Sequence, residues 1–303
     1  MKLLLPTDGK APAENARELL ITLGHRERVE ITVLSVNGFS MALEQGARLE
    51  HHYSPEAGRS YTLEVIDRTV EYLRSQGFRA EGQMADGYPP YAILGEVEHS
   101  HYELALLGSG SASWLGQLLL GSVATNVLHG SPSSVLIAHD APIEGQPKVL
   151  YGADGSRGAD YALRNLIGFA DPSRAEVTVA CVVRSIAGFE SEMLFPPEKF
   201  GRAEMHRRHQ EAQRVVDRAT DSLAEAGFEA TGEVLTGHPT EQLLKAADGL
   251  GASLVAVGSR GLGALDRAVL GSVSDKVVRH ARAALVGRET TGGAGRDGVV
   301  EGR

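Results

Sequence analysis

The chain has 303 residues, 42% hydrophobic and 23% charged, which excludes a disordered chain and fits about two domains at ~150 residues each. Its 39 acidic residues against 30 basic ones give a net charge of -9, which argues against a protein that coats nucleic acid. Cys181 is the single cysteine, so no internal disulfide or cysteine-built zinc site is available, and no apolar run approaches the ~20 residues of a membrane helix.

The start, Met1-Lys2-Leu3-Leu4-Leu5-Pro6-Thr7-Asp8, turns polar too soon for a signal peptide, so a cytoplasmic protein is expected. Residues 3–6 form a short apolar strand, and 13–23 read as a helix. Residues 29–36 alternate and are β-branched, which predicts a strand. A looser stretch over 37–55 contains His51 and His52, read as surface residues. Leu63, Ile66, Val70 and Leu73 recur at helical spacing over 61–76, and Gly77 marks the stop. Residues 79–84 read as a strand, 91–99 as a helix and 104–107 as a fully apolar strand of a parallel sheet. A helix over 122–129 and a last strand over 134–138 close the series.

The order then repeats. Leu73…Gly77-Phe78…Ala80…Gly82 matches Leu223…Gly227-Phe228…Ala230…Gly232, Gly108-Ser109 matches Gly258-Ser259, and Leu120-Gly121-Ser122-Val123 matches Leu270-Gly271-Ser272-Val273, all 150 positions apart. Thr7-Asp8-Gly9 matches Ala153-Asp154-Gly155 at an offset of 146, which places a four-residue indel between Val36 and Leu73. Residues 139–147, with Pro142, Gly145 and Pro147, read as a linker. The expected organisation is one domain over 1–140, a second over 148–288, and a glycine-rich disordered tail over 289–303. Alternating strands and helices predict an α/β fold, each half an open five-stranded parallel sheet with helices on both faces.

Ligands of such sheets bind at the carboxyl ends of the strands, near the point where the strand order reverses. Two features of the second repeat fall there: Asp154 after its first strand, and the run Gly258-Ser259-Arg260-Gly261 followed by Gly271-Ser272. Glycines at 258 and 261 allow positive φ and let backbone amides approach a ligand without Cβ hindrance. Gly271-Ser272 opens a helix over 273–282, whose amino end attracts anions, and the Ser272 hydroxyl either caps that helix or meets a phosphate. Arg260 supplies a charge-assisted contact. The P-loop pattern is absent, and no Gly-x-Gly-x-x-Gly follows the first strand.

The spacing Gly258-x2-Gly261-x9-Gly271-Ser272, with Asp154 on strand one and Gly237-His238-Pro239-Thr240-Glu241 ahead of a helix, resembles the universal stress protein family in tandem form, over about residues 1–288. That resemblance implies a Rossmann-like sheet of the adenine nucleotide α-hydrolase type and, in members with the glycine motif, ATP binding. Asp154 and the backbone near Val182 would face the adenosine. Gly258 and Gly261 would line the ribose and phosphates, and Gly271, Ser272 and Val273 would hold the phosphates. Magnesium as a companion of the ATP is left open.

In repeat one, Asp8, Val36, Gly108, Gly121, Ser122 and Val123 stand at the matching positions, but Ser111 replaces Gly261 and Trp114 adds bulk. Its occupancy by nucleotide is left open. The resemblance also implies pairing through the last strands, between the two repeats or in a homodimer. Gly287 argues that the second of these strands is weak.

No residue set stands out as catalytic, and no metal site is expected. His238 reads as a loop residue near the site and Cys181 as a small buried residue; the pairs His206/His209 and His99/His101 have the look of metal pairs, but the first lies in an Arg-rich stretch and neither is taken as a metal site. The leading expectation is an ATP-binding stress or signalling module. A slow ATPase or nucleotide-modifying enzyme, and a scaffold that binds no nucleotide, are the alternatives.

Overall fold

A computed structural model describes residues 1–38, 55–110, 120–139, 145–184, 200–261 and 270–289. His51, His52, Ser111, Trp114, most of the linker and the tail from 290 lie outside them.

Repeat one runs β1 (Lys2–Pro6), α1 (Ala11–Leu23), β2 (Glu30–Asn37), α2 (Pro55–Ser75), β3 (Arg79–Asp86), α3 (Pro89–Ser100), β4 (Leu104–Gly108), α4 (Ser122–Gly130) and β5 (Ser134–Ala138). Repeat two follows with β6 (Lys148–Gly152), α5 (Arg157–Phe169), β7 (Glu176–Val183), α6 (Phe200–Glu225), β8 (Glu229–Thr236), α7 (Pro239–Leu250), β9 (Leu254–Gly258), α8 (Ser272–His280) and β10 (Ala283–Gly287). The elements have the types and order expected from the sequence. The differences lie at their ends: α2 begins at Pro55 rather than 61, and α8 ends at His280 rather than 282.

The ten strands form one sheet in the order β3-β2-β1-β4-β5-β10-β9-β6-β7-β8. Within each repeat every pair is parallel. The central strands are buried on both faces, as parallel strands beneath two helical layers must be; every residue of β5 and β10 is buried. The edge strands β3 and β8 are largely exposed and carry Arg79, Glu81, Glu229 and Glu233, which discourage further strand pairing.

Side chains alternate between two cores. Leu3, Leu5, Leu136 and Ala138 point to the face covered by α1, α2, α5 and α6, while Leu4, Val135 and Ile137 point to the face covered by α3, α4, α7 and α8. Helix α1 meets the first core with Ala13, Ala16, Leu19, Leu20 and Leu23, an apolar stripe of helical period. Both cores run through both repeats without a break.

The seam between repeats is the one antiparallel pair of strands among the described residues, β5 with β10, registered Ala138↔Ala283, Ile137↔Ala284, Leu136↔Leu285 and Val135↔Val286. The strand expected to be weak pairs on both sides, and Gly287 lies beyond the four residues registered with β5. It pairs with Gly258 on its other side, and a Cβ there would run into the backbone of Ala162, so α5 crosses the strand at that point.

Beyond each last strand, a side chain crosses to the opposite repeat. Arg288 donates to the carbonyls of Leu128, His129 and Ser131 at the carboxyl end of α4. His139 Nε2 donates to the Val278 carbonyl of α8 at 2.6 Å. Helix carboxyl ends leave carbonyls unpaired and carry partial negative charge, so a cation is stabilising there. Burial lowers the pKa of Arg288, with nearby Arg260 adding to the effect, but a guanidinium stays protonated. Arg288→Ala should therefore destabilise the chain by about 1.5–3 kcal/mol. Arg288→Lys should recover only part of the loss, because lysine lacks the fork. Thermal unfolding followed by circular dichroism checks both.

Candidate functional site

The strand order reverses between β6 and β9 in repeat two: β6 continues outward to β7, while β9 lies on its other side. A cleft of about 750 Å³ opens at the carboxyl ends of these strands, a size typical of small-molecule sites. Asp154, Val182, Gly258, Arg260, Gly261, Gly271, Ser272 and Val273 all line it. They come from the turn after β6, the end of β7, the loop after β9 and the start of α8. Residues 262–269, inside the glycine spacing, lie outside the described residues.

The cleft has an apolar floor, including Ala153, Val257 and Leu243, and a charged rim. The rim carries Arg184, Arg208, Glu211 and Arg260 alongside Asp154. Arg208 and Glu211 belong to α6, which sequence reasoning treated only as an arginine-rich stretch. Arg208 Nε is 2.7 Å from Glu204 Oε1, so this cation is held at the rim by an ion pair.

Asp154 Oδ1 accepts the amide of Ser156 at 2.9 Å, a local turn that fixes the carboxylate over the cleft. Its second oxygen explains Gly261. A Cβ at 261 would sit 2.8 Å from Asp154 Oδ2. Neither Gly258 nor Gly261 uses the positive φ that glycine allows. At Gly258 a Cβ would run into the backbone of Ala159 on α5, while at Gly261 it would displace the Asp154 carboxylate.

The other site residues also differ in role. Gly271, not Ser272, is the N-cap of α8, and no side chain caps that end. Ser272 is the first helical residue and leaves its hydroxyl beside the cleft. Ser274, which the sequence reading passed over, reaches Gly258 O at 2.7 Å and Ser259 O at 3.1 Å. Ser156 caps α5 through the Ala159 amide and donates to Arg260 O at 3.1 Å. The signal for Ser156 was present in Asp154-Gly155-Ser156, a turn that runs into a helix.

Repeat one carries the same elements with different fittings. Asp8 binds the Lys10 amide through Oδ1, and its Oδ2 lies 3.5 Å from Lys10 Nζ. Tyr61 on α2 donates to the Asp8 carbonyl at 3.3 Å. Val36 lies near the end of β2, Gly108 ends β4, Gly121 is the N-cap of α4, and Ser122 and Val123 begin that helix. Gly110 has φ +103°, which favours glycine, and a Cβ there would lie 2.8 Å from Gly121. Arg260, its counterpart, has no such φ. A wider groove of about 900 Å³ lies at the opposite end of the repeat-one strands, beside Lys2, Glu30 and Arg79, and holds none of the predicted residues.

The histidines fall as follows. His238 is the exposed N-cap residue of α7 and does not line the cleft. His206 Nε2 meets Gln210, while His209 meets Met205 O and Thr236. His99 lies in the last turn of α3, and His101 is its left-handed C-cap. Among the described residues no three His, Cys, Asp or Glu side chains are grouped to hold a metal, and no helix is long and apolar enough to cross a membrane.

The chain is a duplicated α/β fold with a glycine-loop cleft at the switch point of its second half-sheet. The model of the universal stress protein family matches residues 1–139 and 147–286, and the chain belongs to that family. It is similar to universal stress protein YxiE of Bacillus subtilis, 32% identical over 133 residues, covering 43% of this chain and 90% of that one. It is also similar to universal stress protein Rv2005c of Mycobacterium tuberculosis, 30% identical over 197 residues and 61% of each chain. A solved universal stress protein from Archaeoglobus fulgidus shares the fold over 95% of this chain and 98% of its own, with a TM-score of 0.66 at 23% identity.

Cys181 lines the cleft floor and is buried. Burial, and secondarily the charge of Asp154, push its thiol up to about 11 from 9.0. The thiolate is the reactive form, so native Cys181 should react with a disulfide reagent at pH 8 far more slowly than in denaturant. The sign follows from linkage. The neutral thiol favours the folded state below pH 9, and that contribution is lost as pH rises through about 11. Thiol titration in native and denaturing buffer checks this.

Proposed function

We propose that the second repeat binds ATP and that the chain is a nucleotide-responsive stress or signalling module of the cytoplasm. One observation carries this reading. Eight residues from four separate segments, singled out as a nucleotide-site pattern, line a single cleft where a doubly wound sheet takes its ligands. The surroundings fit the group. Val182 and the apolar floor would take the base, and Asp154 the ribose hydroxyls. Gly258, Gly261 and the amino end of α8 at Gly271, Ser272 and Val273 would take the phosphates, with Arg260 adding positive charge. Magnesium would travel with the phosphates. The chain's own part is to bind and orient the nucleotide. Hydrolysis would need a positioned base, and no such role is assigned to a residue.

Repeat one is proposed as the weaker or empty half. Lys10 and Tyr61 both engage Asp8, and the loop after β4 has a different backbone at Gly110. A homodimer is not required by this reading, because the seam already joins two copies of the fold.

Calorimetric titration of ATP into nucleotide-stripped full chain should give about one site. Gly261→Val should abolish it, because the new side chain enters the space of Asp154. A second site that survives in Gly261→Val would place nucleotide in repeat one as well. Absence of heat at millimolar ATP overturns the reading and leaves a scaffold or a binder of another ligand.

A further inference from the structure

The two repeats share topology and most of their motif, yet the loop after the fourth strand is held differently in each. In repeat two, two buried serine hydroxyls bind the carbonyls of the loop, Ser274 sharing its one proton between two of them. Ser274 is within hydrogen-bond distance of Gly258 O and Ser259 O, and Ser156 donates to Arg260 O. Ser274 is 2% exposed and Ser156 8%. Ser156 also closes the first turn of α5 through the Ala159 amide, so it joins loop and helix in one hydrogen-bonded chain. Gly158, two residues on, lets the loop lie against α5: a Cβ there would be 3.2 Å from Arg260 O.

Repeat one has neither hydroxyl. By the offsets of 146 and 150, Lys10 stands for Ser156 and Ala124 for Ser274. Lys10 is the N-cap of α1 without a side-chain cap bond, and Ala124 is a buried methyl. Pro12 stands for Gly158. One bond survives in both halves, from the amide of Gly121 or Gly271 to the carbonyl of Ser109 or Ser259. It fixes where the loop meets the next helix, but not the residues before it.

We infer that Ser156 and Ser274 are positioning residues that clamp the Gly258–Gly261 loop in its binding conformation, and that this clamp sets the second repeat apart as the nucleotide half. The reason is electrostatic. A carbonyl oxygen facing a phosphate repels it, whereas a loop whose carbonyls are bound to helices cannot turn them into the cleft. A loop fixed in advance also loses less conformational entropy when ligand arrives. Neither serine belongs to the glycine motif. Ser156 is not part of the cleft lining, and Ser274, which is, has its buried hydroxyl turned to the loop carbonyls, so both act through the loop. The inference rests on the proposed ATP binding by repeat two.

The test uses the full chain as wild type, Ser156→Ala, Ser274→Ala and the double variant. ATP affinity is measured by calorimetry, and hydrogen exchange by mass spectrometry is followed in the peptides covering 258–261, β9 and α5. Each single change should weaken ATP by roughly 5- to 10-fold, and the double change by roughly 30-fold or more. Exchange should rise in the loop peptide while β9 and α5 keep their protection. Wild type that does not bind ATP overturns the functional reading and this inference with it. With wild type binding, the inference alone falls on any of three results. These are affinities within about twofold of wild type, a loss of affinity without faster loop exchange, or a loss with equal loosening of β9 and α5, which would mark plain destabilisation.

Discussion

The antiparallel pairing of β5 with β10 is the constraint on which the rest of the molecule depends. Each half alone would end in a fully apolar strand with an open edge, which is an aggregation hazard. Joined, the two edges disappear, and both cores become continuous across the seam. Because this pair is antiparallel while all others are parallel, the strands of the two repeats run in opposite senses. Their carboxyl ends, and so their glycine loops, open at opposite ends of the sheet. Two sites built on this frame face away from one another.

The seam and the cleft of repeat two share one short helix. The amino end of α8 borders the cleft at Gly271 and Ser272, and its carboxyl region accepts His139 from the other repeat. Helix α4 mirrors this, with Gly121 and Ser122 at one end and Arg288 at the other. Each last helix is thus held at its carboxyl end by a cation or ring from the partner repeat. That end of the helix carries partial negative charge and the opposite end partial positive charge, so the cross-repeat contact and an anion at the cleft act on the two poles of the same dipole. This places repeat pairing and ligand site in direct mechanical contact through nine residues.

Duplication has kept the frame and changed the fittings. Glycines that serve packing persist in both halves: Gly108 and Gly258 each lie where a Cβ would strike the first turn of the first helix of its repeat, α1 or α5. The groups that differ sit one layer behind. Lys10 replaces Ser156, Ala124 replaces Ser274, and Tyr61 stands where Glu211 lines the other cleft. A shared motif therefore does not imply a shared site, because the motif residues depend on neighbours that hold the loop.

The element order, the duplication, the parallel sheet and the helical faces could be read from residue order, because they rest on local periodicity and on a repeat of glycines that any registration of the sequence against itself reveals. Asp154, Gly258, Gly261 and Gly271 were legible from their spacing and their place after the strands, and Val182 only through the family resemblance that this spacing carries. Other features were not. Gly258, Gly261 and Gly287 looked like conformational choices, but they answer to backbone and carboxylate atoms brought close only by folding. Ser272 looked like a cap, although the cap falls to Gly271. The seam partners of Arg288 and His139, and the hydroxyl ties of Ser156 and Ser274, join residues more than a hundred positions apart or on different elements. The order of residues determined which elements form and where the glycine loops fall. Only the tertiary structure decided what each glycine clears and what each hydroxyl holds, because those roles depend on distances between elements that local sequence does not encode.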